Sequence, residues 1–226
     1  MVTVNVVSHD DAPDRLVAIW AEAERLGFAL RRQGVDPAEG DGRAALLAAH
    51  VACWRSFLES RAGYVAVLHD DALPEDPLAP LLDETVLDQL MAGEGLLCLS
   101  STDEGHDPFE EPRVYRLAAI PGAMGAYVVS RAFASKLVEV ADRGAADLRS
   151  AIERAVERRG ELRCVVPAVV SCEEAASTDP GAGGLMDRTR SAVRRVARKL
   201  TDRSDGMVIP QPSAPRSVRS KEAISA

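Results

Sequence analysis

Residues 65–74, VAVLHDDALP, carry four apolar residues straight into two adjacent carboxylates, and Pro74 closes the run. Gly63 precedes it, so the segment reads as a short strand buried on both faces, central in a sheet. Asp70 and Asp71 then stand where the strand ends, and in open α/β sheets ligands bind at that end. Two neighbouring carboxylates repel each other unless a cation, a proton or hydrogen bonds compensate. Hard oxygen donors of this kind suit Mg²⁺ or Mn²⁺ carrying phosphate oxygens. A solvated Asp-Asp turn is the plain alternative.

The rest of the chain alternates in the same manner. Residues 1–7 (MVTVNVV) form a first strand, followed by the polar loop SHDDAPDR. Leu16, Ile19, Trp20, Ala23 and Leu26 repeat at helical spacing, and Gly27 is placed to end that helix. A second strand is expected over 28–35 and a loop over 37–42. A helix follows over 43–61, with Leu46, Leu47, His50, Trp54, Phe57 and Leu58 inward. Beyond the Asp-Asp segment a helix is expected over 81–91, and strands over 95–99, 114–120 and 126–130. Helices are expected over 133–142 and 147–159, and a last strand or extended segment over 162–170. Strands alternating with helices imply an α/β sandwich around a mostly parallel, Rossmann-like sheet.

The 226 residues suffice for one domain of ordinary size with a tail, and 46% hydrophobic with 27% charged residues is the balance of a soluble globular protein. No apolar run reaches the ~18 residues that span a bilayer. The first residues lack a basic segment and a signal-peptide core, so a cytoplasmic location is expected. Cys53, Cys98, Cys164 and Cys172 show no CxxC spacing and lie in apolar contexts, as reduced buried thiols do.

Charge is divided unevenly. The formal net charge is −8, yet residues 187–226 carry ten Lys/Arg against four acids, a net +6, which leaves −14 on the body. The expected organisation is a domain over 1–176, a linker over 177–184, a basic amphipathic helix over 185–201 and a disordered tail over 202–226. The basic helix suits three settings: packed on the acidic body, resting on an anionic membrane surface, or contacting nucleic-acid phosphates.

Four segments, in order, resemble glycosyltransferase family 25, the lipopolysaccharide-biosynthesis type, and more broadly the GT-A sugar-nucleotide transferases. An Asp-Arg pair after the first strand is matched by Asp14 and Arg15. A Ser-His-x-x-x-Trp helix is matched by Ala49, His50 and Trp54. A strand ending in Glu-Asp-Asp is matched by His69, Asp70 and Asp71, with His69 in the place of the first acid. A Gly-x-x-Ala-Tyr-x-x-Ser-Arg segment is matched by Gly122, Gly125, Ala126, Tyr127, Ser130 and Arg131. The resemblance covers roughly residues 1–175.

It implies a GT-A-like fold and transfer of a sugar from a nucleotide-sugar donor, a UDP-sugar above all, to an acceptor hydroxyl. Mn²⁺ or Mg²⁺ would assist, because the departing diphosphate develops negative charge. Asp71 then binds the metal, with Asp70 on the metal or the donor. Ser8, Asp10, Asp11, Arg15, Gly122 and Gly125 line the donor, Arg15 through a planar and permanently charged fork. A general base for the acceptor is sought among Asp103, Glu104 and Asp147. For Asp147 a helix cap is the plainer reading.

The implied acceptor is a surface glycan. The basic tail keeps hydroxylated bases in DNA, as in phage-type DNA modification, as a second option. A peripheral membrane location, or the host cytoplasm for a viral chain, would accompany these. Rival readings are a non-catalytic nucleotide-sugar-binding or scaffold protein and a metal-dependent sugar-nucleotide hydrolase. Outside the acids, His50 reads as a core or supporting histidine rather than a ligand, His106 as exposed rather than a ligand, and Tyr127 as packed within the sheet.

Overall fold

The computed structural model describes residues 2–9, 13–91, 93, 95–100, 113–121, 124–158, 160–166 and 168–172, with the backbone of 207–208. Its centre is an eight-stranded sheet. In chain order the strands are β1 (Thr3–Ser8), β2 (Leu30–Gly34), β3 (Tyr64–His69), β5 (Gly95–Cys98), β6 (Arg113–Arg116), β7 (Ala126–Ser130), β8 (Glu161–Val166) and β10 (Met207–Val208). β4 (Ala72–Pro74) and β9 (Val170–Cys172) form a separate two-stranded ribbon. The spatial order is β10-β6-β8-β5-β7-β3-β1-β2. β1, β2, β3, β5, β8 and β10 run one way, and β6 and β7 run against them. The expected mixed α/β architecture with most strands aligned is therefore present.

Alternation along the strands assigns side chains to two cores. Val65, Val67, Tyr127, Val129, Leu96 and Cys98 face one side. There they meet α2 (Gly42–Glu59), α5 (Arg131–Asp142) and α6 (Leu148–Glu157). Tyr64, Ala66, Leu68, Ala126, Val128 and Leu97 face the other, under α1 (Pro13–Leu26), α3 (Leu78–Leu81) and α4 (Glu84–Met91). β3 is buried on both faces along Tyr64–Leu68, as its unbroken apolar run requires.

Local chemistry explains where the elements begin and end. α1 starts three residues before the periodic stretch, at Pro13, whose fixed φ and missing N–H suit a first helical position. It stops at Gly27, which takes φ +81°. Asp41 caps α2 by accepting the N–H groups of Arg43 and Ala44 at 3.2 and 3.0 Å. The single helix expected over 81–91 is instead two, α3 and α4. Asp83 interrupts it, because its carboxylate accepts the N–H groups of Thr85 and Val86 at 2.8 and 3.3 Å and starts a new helix. The extended segment expected over 162–170 divides into β8 and β9, with the Val169 N–H donated to Leu99 O in between.

The linker over 177–184 and the basic helix over 185–201 lie outside the described residues. Within 202–226, Met207 and Val208 pair antiparallel with Val114 and Arg113. Among the described residues no helix is long and apolar enough to cross a membrane.

Candidate functional site at the end of β3

The carboxyl ends of β1 and β3 lie side by side, with Val7 opposite His69. Asp70 follows immediately and is only 7% exposed. Its Oδ2 accepts the backbone N–H of His9 at 3.0 Å, from the loop that leaves β1. Its Oδ1 lies 3.8 Å from Arg15 Nη1, on the first turns of α1. Arg15 remains 42% exposed, so its guanidinium can meet a ligand from solvent while held near Asp70. Ser8, at the end of β1, is buried, and its hydroxyl accepts Arg32 Nε at 2.9 Å. Arg15, Asp70, His9, Ser8 and Arg32 thus form a polar strip at the strand ends, with one carboxylate between two guanidinium groups.

Asp71 sits differently. With Asp70 it forms the turn that leads directly into β4, whose Ala72 pairs with Cys172 of β9. Gly125, just before β7, donates no side chain here, and its carbonyl accepts the His69 N–H at 2.7 Å. A Cβ on Gly125 would lie 3.8 Å from Asp71 Oδ1 and would collide with Cys172 Sγ. Asp71 Oδ1 is buried with no hydrogen-bond partner. An unsatisfied buried acceptor of this kind costs about 1–3 kcal/mol, and more when charged.

His69 turns inward. Strand alternation sends its side chain to the same side as Val65 and Val67, where its Nε2 lies 2.9 Å from His50 Nε2 on α2. His50 Nδ1 in turn lies 2.6 Å from the Tyr127 hydroxyl on β7. His50 and Tyr127 are fully buried. Burial pushes the His50 imidazole well below its usual range, with His69 adding to the effect, so the ring is neutral. Burial also lowers His69, against the opposing pull of Asp71 and Asp70. The Tyr127 hydroxyl is pushed far up by burial and stays protonated. Trp54, one helical turn beyond His50, is buried with its Nε1 unpartnered.

Among the residues singled out by sequence, the structure brings Ser8, Arg15, Asp70, Asp71 and Gly125 to one end of the sheet. Asp147 is the N-cap of α6, where its carboxylate accepts the Ser150 N–H at 2.8 Å in a reciprocal capping box. That bond holds its carboxyl below the usual range. Asp10, Asp11, Asp103, Glu104, His106 and Gly122 lie outside the described residues. Ser130 and Arg131, which carry part of the resemblance, are engaged by backbone. Ser130 Oγ accepts the Phe133 and Gly95 N–H groups, and Arg131 donates to the carbonyls of Leu58, Ser60 and Ala62 at the end of α2.

Two features escape the sequence reading. Arg32 pairs in register with Val6, so it occupies an apolar-parity position on an edge strand. A cation at such a position is the signal for a polar strip at the strand ends. The His50–Tyr127 contact joins residues 77 apart. Its only signal is that each places one polar group in an apolar setting, and such groups find partners.

The donor set bears on the divalent cation that the resemblance implies. Among the described residues no group of three or more His, Cys, Asp or Glu forms a cation cage. Asp70 is engaged, His69 faces the core, and Asp71 alone retains an unpartnered carboxylate oxygen. A single carboxylate fits Mg²⁺ or Mn²⁺ when substrate phosphates and water complete the shell.

No family model and no curated protein matches the sequence. Solved structures do resemble the fold. A glycosyltransferase involved in the glycosylation of the major capsid of PBCV-1 aligns with a TM-score of 0.50 at 10% identity, over 86% of this chain and 100% of that one. A putative glucose-1-phosphate thymidylyltransferase from Bacillus anthracis gives 0.42 at 15% identity, over 84% and 75%. An apo UDP-glucose pyrophosphorylase gives 0.39 at 11%, over 87% and 82%. The likeness to the first of these, over the whole length of that chain, shows a shared α/β fold.

Proposed function

We propose that the chain is a nucleotide-sugar-dependent glycosyltransferase whose donor diphosphate lies across the carboxyl ends of β1 and β3. The observation that carries this reading is the Asp70–Asp71 pair. One carboxylate is tied to His9 and Arg15, and the other keeps a buried oxygen without a partner. A divalent cation held there would give that oxygen a partner and would offset the negative charge that develops on a departing diphosphate. Asp71 would hold Mn²⁺ or Mg²⁺, which would supply Lewis-acid stabilisation of the leaving group.

Arg15 is placed to meet a phosphate with two parallel N–H donors, which a lysine cannot do. Ser8 and Arg32 sit where the ribose or base of the donor would extend along β1 and β2. Gly125, having no side chain, leaves room beside Asp71 for the Cys172 thiol. The donor is a UDP-sugar and the acceptor a glycan hydroxyl, as the resemblance to family 25 implies. A hydroxylated DNA base is the second acceptor class.

The test is a panel of nucleotide sugars read by release of nucleoside diphosphate, run with glycan acceptors and with hydroxymethylated DNA. Acceptor-dependent release from one donor is the expected result. Equal turnover without any acceptor would identify a hydrolase, and no turnover with any donor would favour a binding protein.

A further inference from the structure

The end of β3 is fixed residue by residue from different directions. His69 gives its backbone N–H to Gly125 O of the β7 side, at 2.7 Å, and its imidazole to His50 of α2, at 2.9 Å. Asp70 is held from the opposite face of the sheet by His9 and Arg15. Asp71, the next residue, is the one whose carboxylate keeps a buried oxygen unpartnered.

The three polar groups behind it satisfy one another. In one arrangement the Tyr127 hydroxyl donates to His50 Nδ1, and His50 Nε2–H donates to His69 Nε2. In the other the imidazole protons run the opposite way, from His69 to His50 and from His50 to Tyr127. Both need a neutral His50 ring, and each contact holds one proton. Apolar side chains of equal volume would fill this part of the core without the expense of burying polar groups. A fully connected polar network instead specifies one arrangement of the elements that carry it, here α2, β3 and β7. Strand parity turns the His69 side chain toward α2, where it meets His50.

We propose that His69, held by His50 and Tyr127, is a positioning residue that aims the Asp71 carboxylate at the divalent cation of a bound nucleoside diphosphate. This rests on the transferase reading above. Loss of the His50 contact frees the His69 ring, the strand end shifts, and Asp71 leaves the notch beside Gly125. The network acts as one unit, so removing either imidazole has the effect of removing both.

Calorimetric titration of the full chain with UDP, in Mn²⁺ and again in EDTA, tests this without reference to turnover. His50→Ala and His69→Ala each weaken the Mn²⁺-dependent affinity at least tenfold, and the double variant is no weaker than either. His69→Gln, whose amide reaches the place of Nε2, recovers most of the loss. Tyr127→Phe removes only a hydroxyl, leaves the fold intact, and still weakens Mn²⁺-dependent affinity severalfold. UDP affinity in EDTA is the same throughout. Wild-type Mn²⁺-dependent affinity in Tyr127→Phe and in a folded alanine variant overturns the proposal, as do equal losses with and without Mn²⁺. Failure of the wild-type chain to bind UDP in Mn²⁺ contradicts the transferase reading itself.

Discussion

Cys172 Sγ fills the space that a Cβ on Gly125 would take, and Asp71 Oδ1 lies 3.8 Å from the same point. The ribbon of β4 and β9 is thereby seated against the start of β7 through a residue without a side chain. Gly125→Ala forces the thiol or the ribbon aside and destabilises the protein by about 1–3 kcal/mol, the usual cost of overpacking. Cys172→Ala in the same chain vacates the space and restores most of that loss. Chemical denaturation of the two single variants and the double reads the coupling, and simple additivity of the two effects would refute the contact. Burial and the nearby Asp71 push the Cys172 thiol up, so it remains a protonated, unreactive packing group at neutral pH.

Arg131 begins α5 yet serves α2. Its guanidinium donates to Leu58, Ser60 and Ala62 carbonyls at 2.6–2.9 Å and lies 5.0 Å from the centre of the Phe57 ring. Leu58 lies in the last turn of α2, whose carbonyls have no intrahelical donors, and Ser60 and Ala62 follow in the chain leaving it. Arg131→Ala removes charge-assisted bonds and a cation–π contact together, and costs about 2–4 kcal/mol in unfolding experiments. Arg131→Lys recovers less than half, because a single ammonium cannot serve several carbonyls in one plane. UDP affinity of the folded variants equals that of the wild type.

His50 is faced by His69 of β3 and Tyr127 of β7, and all three are uncharged in the folded protein. Its folded pKa is depressed, whereas the unfolded imidazole titrates near the ordinary ~6.5. The unfolded chain therefore binds more protons below that pH, and the contribution of His50 is complete above it and lost as pH falls toward the folded value. Thermal unfolding between pH 8 and 5 shows stability dropping by up to about 1.4 kcal/mol per pH unit for each such group below pH ~6.5. The carboxyls of Asp83, Asp147 and Glu161, held below their usual range by the hydrogen bonds they accept, act in a more acidic range. His50→Gln makes the profile between pH 6.5 and 5 shallower, and an unchanged slope would contradict the assignment.

Much of this architecture is legible in the chain. VAVLHDD reads as a central strand because Val65–Leu68 are buried on both faces, and no surface strand tolerates such a run. Asp147 and Asp83 act at helix starts, as their side-chain chemistry dictates, although only the first was recognised beforehand. The direction and place of β7 were not legible. AYVVS is as apolar as a parallel strand, and nothing local says that it runs antiparallel between β3 and β5. β4 and β9 have three residues each, too few for any period to show.

At the site, Asp70 and Asp71 were legible because two carboxylates at a strand end are chemically conspicuous. Their division of labour was not, because it depends on the His9 N–H, on Arg15 and on the notch at Gly125, all supplied by tertiary packing. Position 69 shows the same limit. Its alignment with the family's first acid said nothing of where the ring goes, whereas strand parity turns it toward α2 and His50.

The measurement that tests the account most directly is calorimetric binding of UDP to the wild type and to Asp71→Asn, each with Mn²⁺ and with EDTA. Asn keeps the shape of the side chain and removes its charge. The wild type is expected to bind at least tenfold more tightly with Mn²⁺ than with EDTA, and Asp71→Asn to show one weak affinity in both. Equal Mn²⁺ enhancement in the two proteins would contradict the assignment of Asp71 to the cation, and no UDP binding by the wild type in either condition would contradict the nucleotide-sugar site itself.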